Sequence, residues 1–321
     1  MTDLLKGFTG GSWGLLIAWF LPAGLVVGFL GLVVLPIVDR TPMLHGIASW
    51  DTTTRSLVAG FLVVTLGITG NAISTPMYRV LEGYVLWRQS WFDRGRRRHL
   101  ARKRALKAAY DATPEAQMLT RARLYERYRL YPDDDGDVGP TLLQNGLRAF
   151  EMFGTNHYGL DALIFWSELG FVTPKGLGDE IDRARASVDF FVALVWSALL
   201  LSVCSFAAVI VRWTNDRTLS VAVLVVAAVL PLIAWVCYLG AIASVPYWRS
   251  TVQTLVNLGR VPLAAAAGLE LPATLDEERK MWGAFGGFVY SPYSADAGNA
   301  LNPYRVRPTK QSPPLATGDD D

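Results

Sequence analysis

The chain contains four long apolar runs without a charged side chain. They extend over residues 7–38, 56–78, 190–211 and 219–248. A helix needs about 20 predominantly apolar residues to cross the hydrocarbon core of a bilayer, and each run meets that length. The pattern therefore predicts four transmembrane helices.

Composition agrees with a membrane protein. Apolar residues make up 51% of the chain and charged residues 18%, whereas soluble domains carry about 25% charged residues. The first run is longer than the apolar region of a cleaved signal peptide, about 7–15 residues, so we expect it to be retained as a span. Cys204 and Cys237 both lie inside apolar runs, which leaves no cysteine for a disulfide framework in the loops.

Most of the basic residues near the spans follow the second run. Between residues 79 and 107 there are ten Lys and Arg side chains but only two acidic ones, whereas the loops after the first and third runs carry few charges. Basic residues close to a span stay on the cytoplasmic side. We therefore expect a multi-pass protein of the cell membrane, with both termini in the cytoplasm.

The predicted fold class is all-α, a polytopic membrane protein with a helical cytoplasmic domain between spans two and three. The predicted segments are 1–78 with the first two spans, 79–187 as the basic helical cytoplasmic domain, 188–248 with the last two spans, 249–290 as a helical cytoplasmic segment, and 291–321 as a disordered tail. The tail is assigned to disorder because it is rich in Pro, Asn, Gly and Asp.

Within the cytoplasmic segments, short signals indicate where helices start and stop. Thr141 and Gln144 resemble a capping box that opens a helix over Leu142–Phe153. A further helix is predicted from Leu160 to about Leu169. After the fourth span, Pro262 is expected to interrupt the helix, because a proline lacks the backbone N–H that the helix needs.

The spans themselves offer little chemistry. A coupled transporter normally keeps an ionisable residue within the membrane, and none lies at the centre of these runs. Gly24 and Gly28 form a GxxxG element that would let another helix approach closely, although such a pair also arises by chance in a glycine-rich span.

A basic arm follows the second span, and it has three interpretations. It can be the topology signal alone, or, with Trp87 and Trp91 beside it, a surface that contacts anionic lipids at about 1 kcal/mol per basic residue. Binding of nucleic acid phosphates is disfavoured, because no nucleic-acid-binding fold is recognisable. The residues assigned to lipid contact are Arg88, Arg94, Arg96, Arg97, Arg98, Arg102, Lys103 and Arg104.

No metal site, cofactor or catalytic residue is predicted. The acidic turn 133–137 fails the EF-hand pattern, because Val138 and Gln144 stand where that loop needs glycine and glutamate. Glu151, His157 and Asp161 lie close in sequence, but Gly159 interrupts their spacing. The chain has no HExxH, GxSxG or phosphate-binding glycine loop.

Three segments together resemble a group of four-span membrane proteins from actinobacteria. Residues 79–84 read R-V-L-E-G-Y, similar to R-x-L-E-G-Y. Residues 141–151 match T-x-L-x-N-x-L-R-A-x-E and are followed by Y-G-x-D at 158–161 and by Trp166. Residues 271–282 match L-P-A-T-x-x-E-E-R-x-x-W. The chain departs from the group at Ser167, where such proteins tend to have proline.

The resemblance implies a four-span protein with a helical cytoplasmic module, and it implies no activity. Its polar positions form either a network that locks the inner helices together or a surface that recognises a ligand. These positions are Asn145, Arg148, Glu151, Tyr158 and Asp161. We favour the lock, because a helix of about ten residues depends on tertiary packing.

The layout favours a non-enzymatic, homo-oligomeric membrane protein, either channel-like or a signal-responsive effector. The alternative is a membrane scaffold that recruits a cytosolic protein through residues 112–187 and the C-terminal tail. Expected partners are anionic lipids of the bilayer and further copies of the chain, with a cytosolic protein in the scaffold alternative and no nucleic acid.

Overall fold

A computed structural model of the chain describes residues 14, 16–35, 50–212, 217–290, 292 and 294–306. Throughout these residues the regular elements are helices, and the only strand-like pairing among them is one bridge between Leu269 and Arg305. In chain order the helices are α1 (Leu16–Val34), α2 (Thr52–Ala72), α3 (Ser74–Glu82), α4 (Gln89–Ala112), α5 (Met118–Tyr128), α6 (Leu142–Glu151), α7 (Phe153–Tyr158), α8 (Trp166–Val172), α9 (Lys175–Arg212), α10 (Arg217–Ala266), α11 (Leu275–Tyr290) and α12 (Ala295–Leu301).

Four helices, α1, α2, α9 and α10, are long and apolar enough to cross a membrane. The predicted all-α, four-span fold class is therefore confirmed. Parts of the predicted loops and termini lie outside the described residues, namely 1–13, 36–49, 213–216 and 307–321. The predicted orientation of the termini remains a prediction.

The chain folds as two compact units. The first contains residues 1–151 and 174–253, and the second contains residues 152–173 and 254–321. The segment 79–187, predicted from sequence as one cytoplasmic domain, is divided between the two units at residues 151 and 174. No local sequence signal marks this division, because it depends on which distant helices each segment packs against.

In the first unit, α6 packs its apolar face against two spans. Leu143, Leu147 and Phe150 of α6 form a buried cluster with residues of α9 and α10, among them Val188 and Val245. The side chains repeat at intervals of three to four residues, which places them on one face of the helix. This packing fixes α6 beside the ends of both spans.

Helix α1 meets α2 at two glycines of α2. A Cβ atom on Gly67 would lie 3.1 Å from the ring of Phe20, and one on Gly70 would lie 2.9 Å from the ring of Trp19. By contrast, nothing in the described chain lies within 4 Å of a Cβ placed on Gly24 or Gly28. Close helix approach therefore occurs at the α2 glycines, and the GxxxG pair faces open space.

Helix α3 follows α2 after the single residue Ile73, and Gly83 caps its C-terminal end. Gly83 has a φ of 95°, a left-handed conformation that glycine adopts without a Cβ clash. Gly95, by contrast, lies inside the unbroken α4, where a Cβ would stand 2.7 Å from the carbonyl oxygen of Pro140. Gly95 thus lets the loop before α6 lie directly on α4.

The second unit has its own buried core, formed by α7, α8, α11 and the end of α10. Phe165, Met281 and Trp282 are inaccessible or nearly so, and the ring of Phe165 stacks on Phe285 with centroids 5.0 Å apart. The helix predicted from Leu160 begins later, at Trp166, because residues 160–165 form a turn.

Two expectations for the C-terminal region are wrong. Helix α10 runs through Pro262 to Ala266, and burial of Leu263 and Ala264 stabilises the turn that the proline weakens. Residues 294–306 of the segment predicted as disordered contain α12, whose first turn is capped by Ser294, with its Oγ accepting a hydrogen bond from the Ala297 N–H at 3.1 Å. Composition alone does not detect such a short capped helix. For residues 307–321, which lie outside the described residues, disorder stays a prediction.

Candidate functional site

A polar cavity of about 440 Å³ lies in the first unit between the end of α3 and one face of α6. We call it the glutamate cavity. It is lined by Arg79, Glu82, Tyr84, Val85, Gln144, Leu147, Arg148 and Glu151. It brings together two of the segments that sequence analysis singled out, residues 79–84 and 141–151.

Thr141, the residue before α6, ties the two sides of this cavity together. The Thr141 Oγ1 accepts the Gln144 N–H at 3.2 Å and donates to the Glu82 carbonyl at 3.3 Å. The predicted cap by Thr141 is thus confirmed, and the same hydroxyl also ties α6 to the last residue of α3. In a capping box the Gln144 side chain would also accept the backbone N–H of Thr141. This second bond is not formed, because the Gln144 Oε1 has no hydrogen-bond partner in the structure.

Asn145 holds the loop in place. Its amide nitrogen donates to the carbonyls of Gly139 and Thr141 at 3.2 and 2.7 Å, and its amide oxygen accepts the Gly139 N–H at 2.7 Å. The side chain is fully buried. Asn145 is therefore a structural residue that shapes the cavity from behind.

Two carboxyl groups in the cavity have raised pKa values. Burial, together with the nearby Glu151 carboxylate, raises the pKa of Glu82 to about 7. Burial also raises the pKa of Glu151 above its ordinary value. The positive charge of Arg148 acts in the opposite direction and lowers both pKa values. Its Nη2 donates to the Tyr84 hydroxyl at 3.2 Å.

The other two members of the predicted polar set, Tyr158 and Asp161, belong to the second unit. The Tyr158 hydroxyl donates to Asn257 Oδ1 at 2.8 Å, and the Arg260 guanidinium lies 4.6 Å from the centre of the Tyr158 ring. Asp161 Oδ1 accepts the Leu163 N–H at 2.9 Å, as a residue at a turn commonly does. The five residues of the predicted polar set therefore do not form one network: Asn145, Arg148 and Glu151 belong to the first unit, and Tyr158 and Asp161 belong to the second.

The second unit contains an ion pair that sequence analysis missed. Arg260 Nη1 donates to Glu278 Oε1 at 2.6 Å, and Trp282 Nε1 donates to the same oxygen at 3.1 Å. Glu278 and Trp282 lie in the L-P-A-T-x-x-E-E-R-x-x-W segment, and both are buried. Their spacing of four residues on one helix is the signal that could have indicated a shared partner.

Residues of the basic arm differ in their contacts, and some of them bind the acidic turn. Lys103, only 4% exposed, donates to the Asp133 carbonyl at 2.7 Å and pairs with Asp135 at 2.9 Å, and Arg104 pairs with Asp135 at 3.0 Å. Arg96 donates to the Asp135 and Gly136 carbonyls at 3.4 and 3.2 Å and to the Val138 carbonyl at 3.0 Å. Three of the eight residues assigned to lipid contact therefore bind the acidic turn, whose sequence fails the EF-hand pattern.

The remaining arm residues are exposed, namely Arg88, Arg94, Arg97, Arg98 and Arg102. Arg98 and Arg102 border an apolar cavity beside the spans. Lipid contact by these five residues remains a prediction.

Near the start of the charge-free part of α9, α3 is joined to α9 by a hydrogen bond. The Tyr78 hydroxyl donates to Asp189 Oδ1 at 2.6 Å, and Arg185 Nε lies 3.5 Å from Asp189 Oδ2. Burial, reinforced by the Asp189 carboxylate, raises the pKa of Tyr78 well above its usual value. This bond fixes the helix that carries Glu82 relative to the third span.

Among the described residues, no group of three His, Cys, Asp or Glu side chains could hold a metal ion. The compact set considered for catalysis is also dispersed. Glu151 lines the glutamate cavity of the first unit, whereas in the second unit the His157 ring nitrogen lies 3.1 Å from the Phe153 carbonyl and Asp161 caps a turn.

Comparison of the chain with protein-family models, with curated proteins and with solved structures found no match. The resemblance to the actinobacterial four-span proteins therefore stands on its three sequence segments, two of which meet in the glutamate cavity.

Proposed function

We propose that the protein is a non-enzymatic, signal-responsive membrane effector, and that its signal is a small protonated amine bound in the glutamate cavity. The observation that carries the proposal is the pair of half-buried carboxyl groups, Glu82 and Glu151, that line one cavity. Burial raises the pKa of each group, and Glu151 raises that of Glu82 further, so a cation bound between them would stabilise both carboxylates.

The two carboxyl groups of the lining favour a cationic donor, even beside the lining Arg79 and Arg148. An ammonium group offers three N–H donors and no acceptor, which matches Glu82 and Glu151. Burial is the main cause of the raised pKa of Glu82, and a positive charge between the two carboxylates would offset the additional repulsion from Glu151. The cavity volume of about 440 Å³ lies within the range of small-molecule sites.

The position of the cavity supports a response in the membrane. Its Glu82 side lies on α3, which follows α2 directly and is bonded to α9 through Tyr78. Its Glu151 side lies on α6, whose apolar face packs against α9 and α10. A ligand that draws α3 and α6 together therefore acts on one helix that follows the span α2 and on another that packs against the spans α9 and α10.

The proposal is tested with the full chain in nanodiscs, with putrescine and methylammonium as probes. We expect millimolar putrescine to raise the thermal midpoint at pH 8, and to do so less at pH 6, where Glu82 is largely protonated. In Glu82→Gln the ligand-induced shift is expected to fall by at least fivefold. Glu115→Gln is the matched control, since Glu115 is an exposed carboxylate outside the cavity.

Equal shifts in Glu82→Gln and Glu115→Gln, or no shift with either amine, would exclude an amine as the signal. A conformational change that follows pH alone, without amine, and that disappears in Glu82→Gln would identify the proton as the signal instead.

A further inference from the structure

We propose that a second cavity of the first unit binds one anionic phospholipid. This interfacial cavity has a volume of about 720 Å³. Its wall is largely apolar and includes Leu199 of α9 with Pro231 and Leu239 of α10, and its rim carries Arg98, His99 and Arg102 of α4. The proposal is independent of the glutamate cavity, which lies on other residues.

The rim has an uncompensated positive charge. Arg98 and Arg102 are four residues apart on one helix, so their side chains are neighbours and repel each other. The described residues that line the cavity include no carboxylate. Burial, reinforced by Arg102 and Arg98, lowers the pKa of His99, which keeps this ring neutral at physiological pH. An anion between the two guanidinium groups would relieve their repulsion.

Other basic residues of the arm bind within the protein, unlike Arg98 and Arg102. Arg96, Lys103 and Arg104 bind the acidic turn, whereas the guanidinium groups of Arg98 and Arg102 border the cavity. Arg binds phosphate with two parallel N–H donors. Helix α4 therefore offers one set of cations to the protein and another to a phosphate group.

The depth of the cavity fits an acyl chain. Pro231 and Ile242 both line it, and eleven helical steps between them span about 17 Å at 1.5 Å per residue. Half the thickness of a hydrocarbon core is about 15 Å. Ile242 lies six residues before Trp248, the last residue of the charge-free run. The cavity therefore extends along α10 over about the length of half a hydrocarbon core, which an acyl chain can fill.

A lipid suits this cavity better than a protein segment. An inserted peptide would bring backbone N–H and C=O groups beside apolar side chains at membrane depth, where unpaired polar groups are costly. An acyl chain has no such groups. At the rim, Trp87 Nε1 donates to the Val80 carbonyl at 3.0 Å, which fixes an indole at the position where aromatic side chains commonly meet lipid headgroups.

The experiment uses the full chain reconstituted with equal amounts of phosphatidylglycerol and phosphatidylcholine, then released into mild detergent for native mass spectrometry. We expect one retained phosphatidylglycerol per chain, at least tenfold more often than phosphatidylcholine. Arg98→Gln with Arg102→Gln is expected to reduce retention at least fivefold. Arg94→Gln with Arg97→Gln is the matched control, because it removes the same charge from exposed positions of the same helix.

A second variant tests the apolar wall. Leu199→Trp fills the tail region without touching the arginines, and we expect it to reduce retention of phosphatidylglycerol at least threefold. Equal retention in the two double variants would overturn the proposal, as would equal retention of the two lipids by the unmodified chain. If the Arg98 and Arg102 double variant does not fold, unchanged retention in Leu199→Trp overturns it.

Discussion

Gln144 and Asn145 are neighbours in sequence and both are almost inaccessible to solvent, yet their amide groups are used differently. Asn145 makes three hydrogen bonds to the backbone of the loop before α6. The Oε1 of Gln144 makes none in the structure and lies against Gly139, where an added Cβ would be only 1.7 Å from it. Asn145 thus holds the loop by hydrogen bonds, whereas Gln144 packs on it and also lines the glutamate cavity.

Glu82 gives the first prediction at the scale of the residue. Its pKa is raised from 4.5 to about 7, so between these values the folded protein binds more protons at this site than the unfolded chain does. The contribution of Glu82 to stability is therefore fully present below about pH 4.5 and is lost as the pH rises through 7. We expect Glu82→Gln to flatten the decline of the thermal midpoint between pH 5 and 8.

The measurement is a series of thermal unfolding scans in one detergent at pH 5, 6, 7 and 8. Glu115→Gln, which removes an exposed carboxylate, is expected to follow the unmodified chain. An unchanged pH profile in Glu82→Gln would show that the Glu82 carboxyl does not titrate in this range.

At the scale of the element, α4 and the acidic turn form one structural piece although about 30 residues separate them. Lys103 is buried against the turn and depends on Asp135 for a counter-charge. The EF-hand comparison considered the acidic residues only as ligands for a metal. Their actual partners lie on another helix, and no local spacing rule relates the two.

Asp135→Asn should accordingly weaken the contact between α4 and the turn. We expect a loss of about 1–2 kcal/mol in the free energy of unfolding, because Lys103 is buried whereas Asp135 is partly exposed and its charge is screened by solvent. Asp133→Asn in the same turn is the control, since Lys103 binds the Asp133 backbone carbonyl, which this change retains. Equal losses in the two variants would contradict the assigned role of Asp135.

The contact between α1 and α2 gives a second prediction for an element. Gly70→Leu would place a side chain against the Trp19 ring, where even a Cβ is only 2.9 Å away. We expect a destabilisation of about 1–3 kcal/mol, typical of overpacking. Gly60→Leu on the same helix has open space and should be close to neutral. Thermal midpoints in the same detergent compare the two.

For the whole molecule, the features that follow from a bilayer's requirements could be predicted, and those that depend on distant contacts could not. Four charge-free runs predict the four spans. Thr141, as a local N-terminal cap, predicts the start of α6. The glutamate cavity joins Glu82 to Glu151 across 69 positions of the sequence. Likewise, Pro262 is tolerated because its neighbours are buried in the fold, which a local rule for proline does not include.

The state of assembly is the prediction at this scale. Only 6% of the 18-residue apolar stretch of α2 is buried within the described chain. The remaining surface of this helix is left to contact lipid or another copy. We expect a homo-oligomer in mild detergent and in nanodiscs, measured as particle mass. A monomer in both environments would exclude a pore built from several copies and would favour the scaffold alternative. If Gly24 and Gly28 pack between copies, changing both to leucine lowers the mass.

The pairing of Lys103 and Arg104 with Asp135 has a consequence during synthesis. The arm leaves the ribosome about 30 residues ahead of its acidic partner, roughly two to six seconds earlier at about 5–20 residues per second. The insertion machinery therefore encounters the arm with its full positive charge. Once the turn has emerged and folded, the bilayer encounters a less positive surface. A change at Asp135 should thus alter how the mature protein interacts with lipid, yet leave the orientation acquired during insertion unaffected.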